Sequence, residues 1–318
     1  MKIIIIEDEA AAYKNIKNLL KRVASVTLAG ALVLSTGIPA KASTSDNMYM
    51  TKATNTDSAW TKTVAPGGTA TFYVGPAKLS AYGYYDYTGF DKDTDAAAEV
   101  TWTKEYNTSK ISSTTAGNAK IAEGNYASTY TVNVAENATA GPIRVHAQRI
   151  GTTTKENGCD FVVVVEGDTN RSASNITVEI YDFMDYEIAD KKSGYTVTAA
   201  QADANNLFYN DVNAAQTYAT PANVMDNLLA DSTVEAVSVG YGYVNSVTLP
   251  GGSVKEGGIN TATNEYYGWQ YGVISSNGVY DANCKAISAS AYDLHDGDTV
   301  VWIYGYEADA DAYFAEFK

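Results

Sequence analysis

The 318-residue sequence predicts a mainly β protein: a β-sandwich, then an α+β domain in which one main helix lies on an antiparallel sheet. Three observations point there. Residues 60–166 run as short alternating stretches punctuated by Gly, Pro and Asn turns, the pattern of half-buried strands. One convincing amphipathic helix, TPANVMDNLLAD, stands at 220–231. Aromatic strands at 268–274 and 299–304 flank a crossing segment that ends in the turn Asp296-Gly297-Asp298. The length suffices for two domains with separate cores.

The N-terminus reads as a targeting segment. Lys21 and Arg22 precede the apolar run VASVTLAGALVLSTGIP, and Ala40-Lys41-Ala42 supplies small residues for cleavage. Residues 1–42 are therefore expected to be a secretory signal peptide, with the mature chain starting at Ser43. The residues before the signal, MKIIIIEDEAAAYKNIKNLL, look like the first strand, acidic pair and first helix of a response-regulator receiver domain that is then cut short. Signal anatomy favours a start assigned too early over residues 1–15, against the alternative of a true extension. No lipobox cysteine follows the apolar run and the ending AEFK carries no sorting motif, so the expected location is secreted, extracellular and unanchored, with association at the cell surface as the alternative.

Charge excludes some partners. Removing residues 1–42 takes six of the 22 basic and three of the 37 acidic residues, leaving the mature chain at −18. So acidic a surface repels phosphate backbones and anionic lipid, which argues against nucleic acid and against membrane insertion after signal cleavage. Two cysteines are too few for a disulfide scaffold. Cys159 alternates with Phe161, Val163 and Val165 as a core thiol, and Cys284 reads as a loop thiol.

In chain order, residues 43–57 are polar and aperiodic, a flexible leader. Strands follow in TATFYV, EVTWTK, YASTYTVNV, PIRVHAQR and CDFVVVVEG, making residues 58–166 the sandwich. The P-G-G-T-A-T-F entry, the V-T-W strand and the run YTVNVAENATAGPIRVHA resemble bacterial immunoglobulin-like domains. The antibody cysteine pair is absent, so Trp102 is expected to pack on aliphatic side chains. Residues 167–174, GDTNRSAS, read as an interdomain linker.

The second domain, 175–318, opens with the strand NITVEIY. In its helix Thr220 is the N-cap, Pro221 sits at N1, and Val224, Met225, Leu228 and Leu229 form the apolar stripe. A strand or hairpin (VEAVSVGYGYVNSVTLP) and a Gly-rich loop through Gly258 come next. The tail EADADAYFAEFK reads as a short amphipathic helix or a frayed end. Trp269, Tyr271, Val273, Asn277, Gly278, Tyr292, Leu294, Asp296, Gly297, Asp298, Val300, Trp302 and Tyr304 follow an order that resembles the transcobalamin-like C-terminal domain. That family includes vitamin B12 carriers and bacterial surface proteins. The resemblance extends back through Val224, Asp226 and Leu228 to the start of the domain; Ile274, Ser275 and Ser276 depart from it by separating the valine from the Asn-Gly turn.

Chemistry is sparse. His146 and His295 are the only histidines, no serine sits in a nucleophile elbow, and the Cys and His residues are too few and scattered for zinc. His146 shares a solvated strand face with Arg144 and Gln148, and His295 is a surface loop residue. No enzyme, no catalytic residues and no resident cofactor are expected. Asp91, Asp93 and Asp95 alternate as in a calcium loop, but Ala96 and Trp102 stand where an EF-hand needs Gly and Glu. A solvated acidic loop is the plainer account of them, with a looser calcium site that adds Glu99 or Asp86 as the alternative.

What stands out is tyrosine, 25 residues against 7 phenylalanines, clustered at 82–87, 241–243, 266–271 and 304–306. A rigid ring with a polar tip suits a wet binding surface and equally an exposed strand. The expected ligand-binding residues are Tyr243, Trp269, Tyr271, Asn277 and Gly278, where the resemblance puts the ligand. The expected function is a non-catalytic binding or adhesion module for an extracellular glycan, protein or small molecule. The alternatives are a corrinoid (cobalamin-like) binder, for which the helical half of the carriers' cage is missing, and a structural spacer of a surface array.

Overall fold

The structure, a computed structural model, describes residues 49–55, 57–80, 85–167, 171–185, 187–198, 217–240 and 243–318. The expected signal peptide, the early start and the tyrosines at 82, 84 and 241 lie outside them. Residues 47–318 form one compact unit.

Two sheets build the sandwich. The first contains β1 (Tyr49–Lys52), β3 (Thr69–Leu79), β7 (Asn125–Val134) and β6 (Ile111–Ala122) in that order, with β4 (Tyr85–Tyr87) also on β3. The second runs β2 (Thr61–Val64), β9 (Gly158–Val165), β8 (Gly141–Arg149), β5 (Val100–Tyr106), with β2 parallel to β9. Phe72, Val132, Ile143, Val145 and Phe161 fill the space between the sheets. One expectation is corrected and another extended. Residues 49–52, expected within the leader, form β1, because Met50 supplies a buried side chain and its carbonyl accepts the Cys159 thiol at 3.3 Å. Trp102 packs against the mainly aliphatic sandwich core, as expected, and in addition stacks on Tyr130, with centroids 4.9 Å apart, and donates to Ser128 Oγ at 3.0 Å. The DKDTD stretch turns into a short helix, α1 (Asp93–Ala98), that buries Ala96.

The second half is layered on a five-stranded sheet, β11 (Glu187–Val197), β10 (Ala173–Asp182), β17 (Thr299–Tyr306), β16 (Glu265–Ile274), β15 (Gly258–Asn260). The sheet is mixed, not wholly antiparallel, because β10 and β17 pair in parallel. A three-stranded sheet, β12 (Ala236–Gly240), β13 (Tyr243–Leu249), β14 (Ser253–Glu256), lies beside it, so the expected Gly-rich loop in fact carries β14 and β15. Helix α2 (Pro221–Ala230) forms as the sequence predicts. Thr220 and Asn223 cap it reciprocally, Pro221 opens it, and Val224, Met225 and Leu228 are buried. Helix α3 (Glu307–Phe314) covers the opposite face of the large sheet through Ala310 and Phe314.

β9 joins the two halves. Phe161, Val163 and Val165 face the sandwich core, while Val162 and Val164 point the other way into the core built around α2, with Tyr106 and Ala140 beside them. The expected linker is tied at both described ends. Gly167 N donates to Thr217 Oγ1 at 2.8 Å, Arg171 N to Thr217 O at 2.7 Å, and Ser174 N to Asp296 Oδ1 at 2.7 Å.

Candidate functional site

β16 decides what this surface can offer, because its side chains alternate between two different environments. Tyr267, Trp269 and Tyr271 face the inner core and pair across the strand with Tyr306, Tyr304 and Trp302. The inner face is thus a ladder of three aromatic pairs, capped by polar contacts. Trp269 Nε1 donates to Lys255 O at 2.9 Å, Tyr304 to Glu256 O at 2.6 Å, and Tyr271 to Ile287 O. Trp269 is 6 % exposed. The indole is core and offers no open face for stacking. Burial holds the Tyr271 phenol well above its ordinary pKa.

The other face of β16 reads Tyr266, Gly268, Gln270, Gly272. A Cβ on Gly272 would stand 2.2 Å from the Phe314 ring, so this glycine admits α3 to the sheet. Gly268 plays the same part for Tyr266, whose hydroxyl lies 2.6 Å from the position of a Cβ there. Tyr266 also reaches Gly257, again at 2.6 Å. Gly257 is the corner at which the chain leaves β14 and enters β15, and its N–H donates to Asn245 O on β13 at 2.9 Å.

The tyrosine therefore lies across a glycine corner between two sheets and stays 63 % exposed. Ile259, its cross-strand partner, is 59 % exposed. Tyr243 at the start of β13 is 70 % exposed, and its proximity adds to the effect of burial in raising the Tyr266 pKa. Beneath the corner Lys255 is clamped by Asp182 at 2.6 Å and by Asp185, contacts that raise its pKa and fix β14 to the end of β10.

Of the five residues expected to bind, only Tyr243 is at this corner and exposed. Trp269 and Tyr271 are inside. Asn277 and Gly278 form an exposed turn, with Gly278 N donating to Ser275 O at 2.8 Å and Gly278 at φ +79°. That turn follows the far end of β16, a ten-residue strand of roughly 30 Å at ~3.3 Å per residue. The five do not converge. The exposed side chains beside Tyr243 are Tyr266 and Ile259, and the signal for Tyr266 was present in the sequence: it shares its parity with Gly268 and Gly272, opposite to Trp269.

Other titratable groups form structural networks. His146 is hydrogen bonded through Nδ1 to Asp160 and through Nε2 to Gln148, both at 3.1 Å, so the solvated face expected for it is a partly buried polar cluster. The Asp160 contact raises the His146 pKa against the effect of burial. Burial alone would raise Asp160, but His146 and Arg144 outweigh it and hold that carboxyl low. Asp293 pairs with Arg171; burial lifts its pKa and the guanidinium opposes the lift. Glu179 accepts from Tyr181 at 2.6 Å and Tyr313 at 2.9 Å beneath α3. Both cysteines are free and buried, and Cys284, expected in a loop, belongs to the core around α2. Among the described residues no three His, Cys, Asp or Glu side chains gather to hold a metal, and Asp91, Asp93 and Asp95 are not so gathered. No described helix is long and apolar enough to cross a membrane.

No protein-family model matches the chain, and no curated protein matches it. Among solved structures, surface-layer protein SbsC, domains 6–7, aligns over 82 % of this chain and 92 % of that one. The identity is 12 % and the TM-score 0.23, a likeness too slight to bear on fold or function.

Proposed function

We propose that this chain is an exported, non-catalytic binding or adhesion module, an immunoglobulin-like sandwich joined to a transcobalamin-like domain, and that its ligand surface is the sheet corner bearing Tyr243 and Tyr266. The observation that carries the reading is the pair of tyrosines left largely exposed at a corner whose glycines seat one of the rings. Rings held this way lose little freedom on binding and present an apolar face with a polar tip. The non-catalytic part rests on the sequence, which offers two histidines and no serine in a nucleophile elbow. Corrinoid capture draws no support from the aromatic ladder, whose Trp269 and Trp302 are buried. The test is a screen of the full chain against glycans, cobalamin, cobinamide and extracellular proteins, repeated with Tyr243→Ala and Tyr266→Ala. A ligand lost on either substitution, with the melting temperature kept, supports the corner. A ligand that both variants still hold moves the site elsewhere, and silence throughout favours the spacer.

A further inference from the structure

β6 is the outermost strand of its sheet and, among the described residues, pairs only with β7. Its ladder runs without a register shift from Ser113 to Lys120, eight residues or about 27 Å at ~3.4 Å each. Along that length alternate N–H and C=O groups point away from β7, a template for another strand.

Edges are normally blunted, and the others here are. β1, β2, β14 and β15 are three or four residues long, and β12 is five. β5 is interrupted by a register shift between Lys104 and Tyr106 and carries Lys104 and Glu105. β11 has three register shifts and Lys192. Among the described edge strands β6 alone is long and regular, and from Ile111 to Ala119 (ISSTTAGNA) it has no charge at all.

We infer that β6 is an association edge at which two copies of this chain pair antiparallel about a two-fold axis. An antiparallel pair of identical strands is self-complementary, so each copy supplies what the other lacks. Charge selects the same partner. The chain is strongly acidic at −15, and most of its surface would repel a second copy. The uncharged run is where two copies meet without opposing carboxylates. Its ends also differ. At the Asn118 end, α1 is fastened by Asn118 Nδ2 donating to Asp93 O at 3.0 Å, and it brings Asp91, Asp93 and Asp95. Lys120 there is paired with Glu123. At the other end Lys110, one residue before the strand, is engaged within its own copy, its Nζ donating to Ala140 O at 2.6 Å, and Glu105 is within 3.9 Å of Arg144. Antiparallel pairing sets the acidic end of each copy beside the Ile111 end of its mate and so keeps the two acidic ends apart.

The test is sedimentation velocity of the full chain from dilute to concentrated solution, with hydrogen exchange of the 111–122 peptide at each concentration. The expected result is a doubling of mass accompanied by rising protection of that peptide. In Thr115→Lys/Ala116→Lys, two exposed positions near the middle of the uncharged run, the mass returns to that of one chain with the melting temperature kept. A single-chain mass at every concentration overturns the inference. So does a dimer whose 111–122 exchange is independent of concentration, since that association lies elsewhere; this readout uses the unaltered chain and stands even if the variant does not fold.

Discussion

The two faces of β16 come from one ten-residue strand and meet opposite fates. The inner face carries Tyr267, Trp269 and Tyr271 and is closed by cross-strand rings; the outer carries Tyr266, Gly268 and Gly272 and is filled by rings that belong to other positions. Aromatic residues thus mark the core on one face, and glycines mark where aromatic residues lie on the other. The lesson is that a ring's role depends on the parity of its position, since a one-residue step moves a side chain through the sheet.

The largest effect should come from the inner face. Trp269→Ala removes a buried indole together with its bond to Lys255 O, and should destabilise the protein by about 3–5 kcal/mol in urea or thermal unfolding. A loss below about 0.5 kcal/mol, the range of surface substitutions, would return Trp269 to the surface and break the comparison. On the outer face, Gly272→Ala places a methyl 2.2 Å from the Phe314 ring. Overpacking of this kind should cost about 1–3 kcal/mol and loosen α3, read as faster hydrogen exchange over residues 307–314. If the exchange is unchanged, the ring has a free alternative and the glycine is not what seats the helix.

A comparable effect separates the inner tyrosine from the outer one. Tyr271→Phe leaves Ile287 O without its donor and should cost about 1–3 kcal/mol, the range for an unsatisfied buried group. The same phenol sets a pH dependence. Its folded pKa lies well above the ordinary tyrosine value, so the folded state keeps a proton that the unfolded chain releases. Its contribution is complete below the unfolded pKa of about 10 and declines above it, by up to ~1.4 kcal/mol per pH unit. Melting followed across the alkaline range should therefore fall less steeply in Tyr271→Phe than in the parent. Equal slopes would mean that the phenol is not protected.

How far the sequence carried this picture can be read from the same elements. α2 was legible because its cap, its proline and its apolar stripe are local signals that agree. The two aromatic strands were legible from alternation, and β16 and β17 do pair with each other. The parallel pairing of β10 with β17 was not, since partner choice between strands more than a hundred residues apart leaves no local mark. β14 and β15 were hidden because strands of four and three residues among glycines read as loop. β1 was hidden because a single buried methionine in a polar stretch carries no period. For the site, alternation did separate Tyr266 from Trp269, but which side faced water depended on α3 covering part of the outer face and on the small sheet turning at Gly257.

The smallest expected change in stability is the one that bears on function. Tyr266 is largely exposed, and its ring rests on Gly257 and Gly268 without closing a core. Tyr266→Ala should therefore shift stability by no more than about 0.5 kcal/mol. If the corner binds, the same substitution should weaken capture of whatever ligand the screen identifies by about 1–2 kcal/mol, the scale of an interface aromatic, and Tyr266→Phe should keep most of it because the face survives. A stability loss near that of Trp269→Ala would make Tyr266 a core residue after all, and the two faces of β16 would then differ only in how their rings are supplied. Equal capture by parent and Ala variant, with stability unchanged, would leave the ring a lid on two glycines. The contrast between the variants is what decides, since a structural lid answers to ring volume in the melt and a binding face answers to the ring in the capture alone.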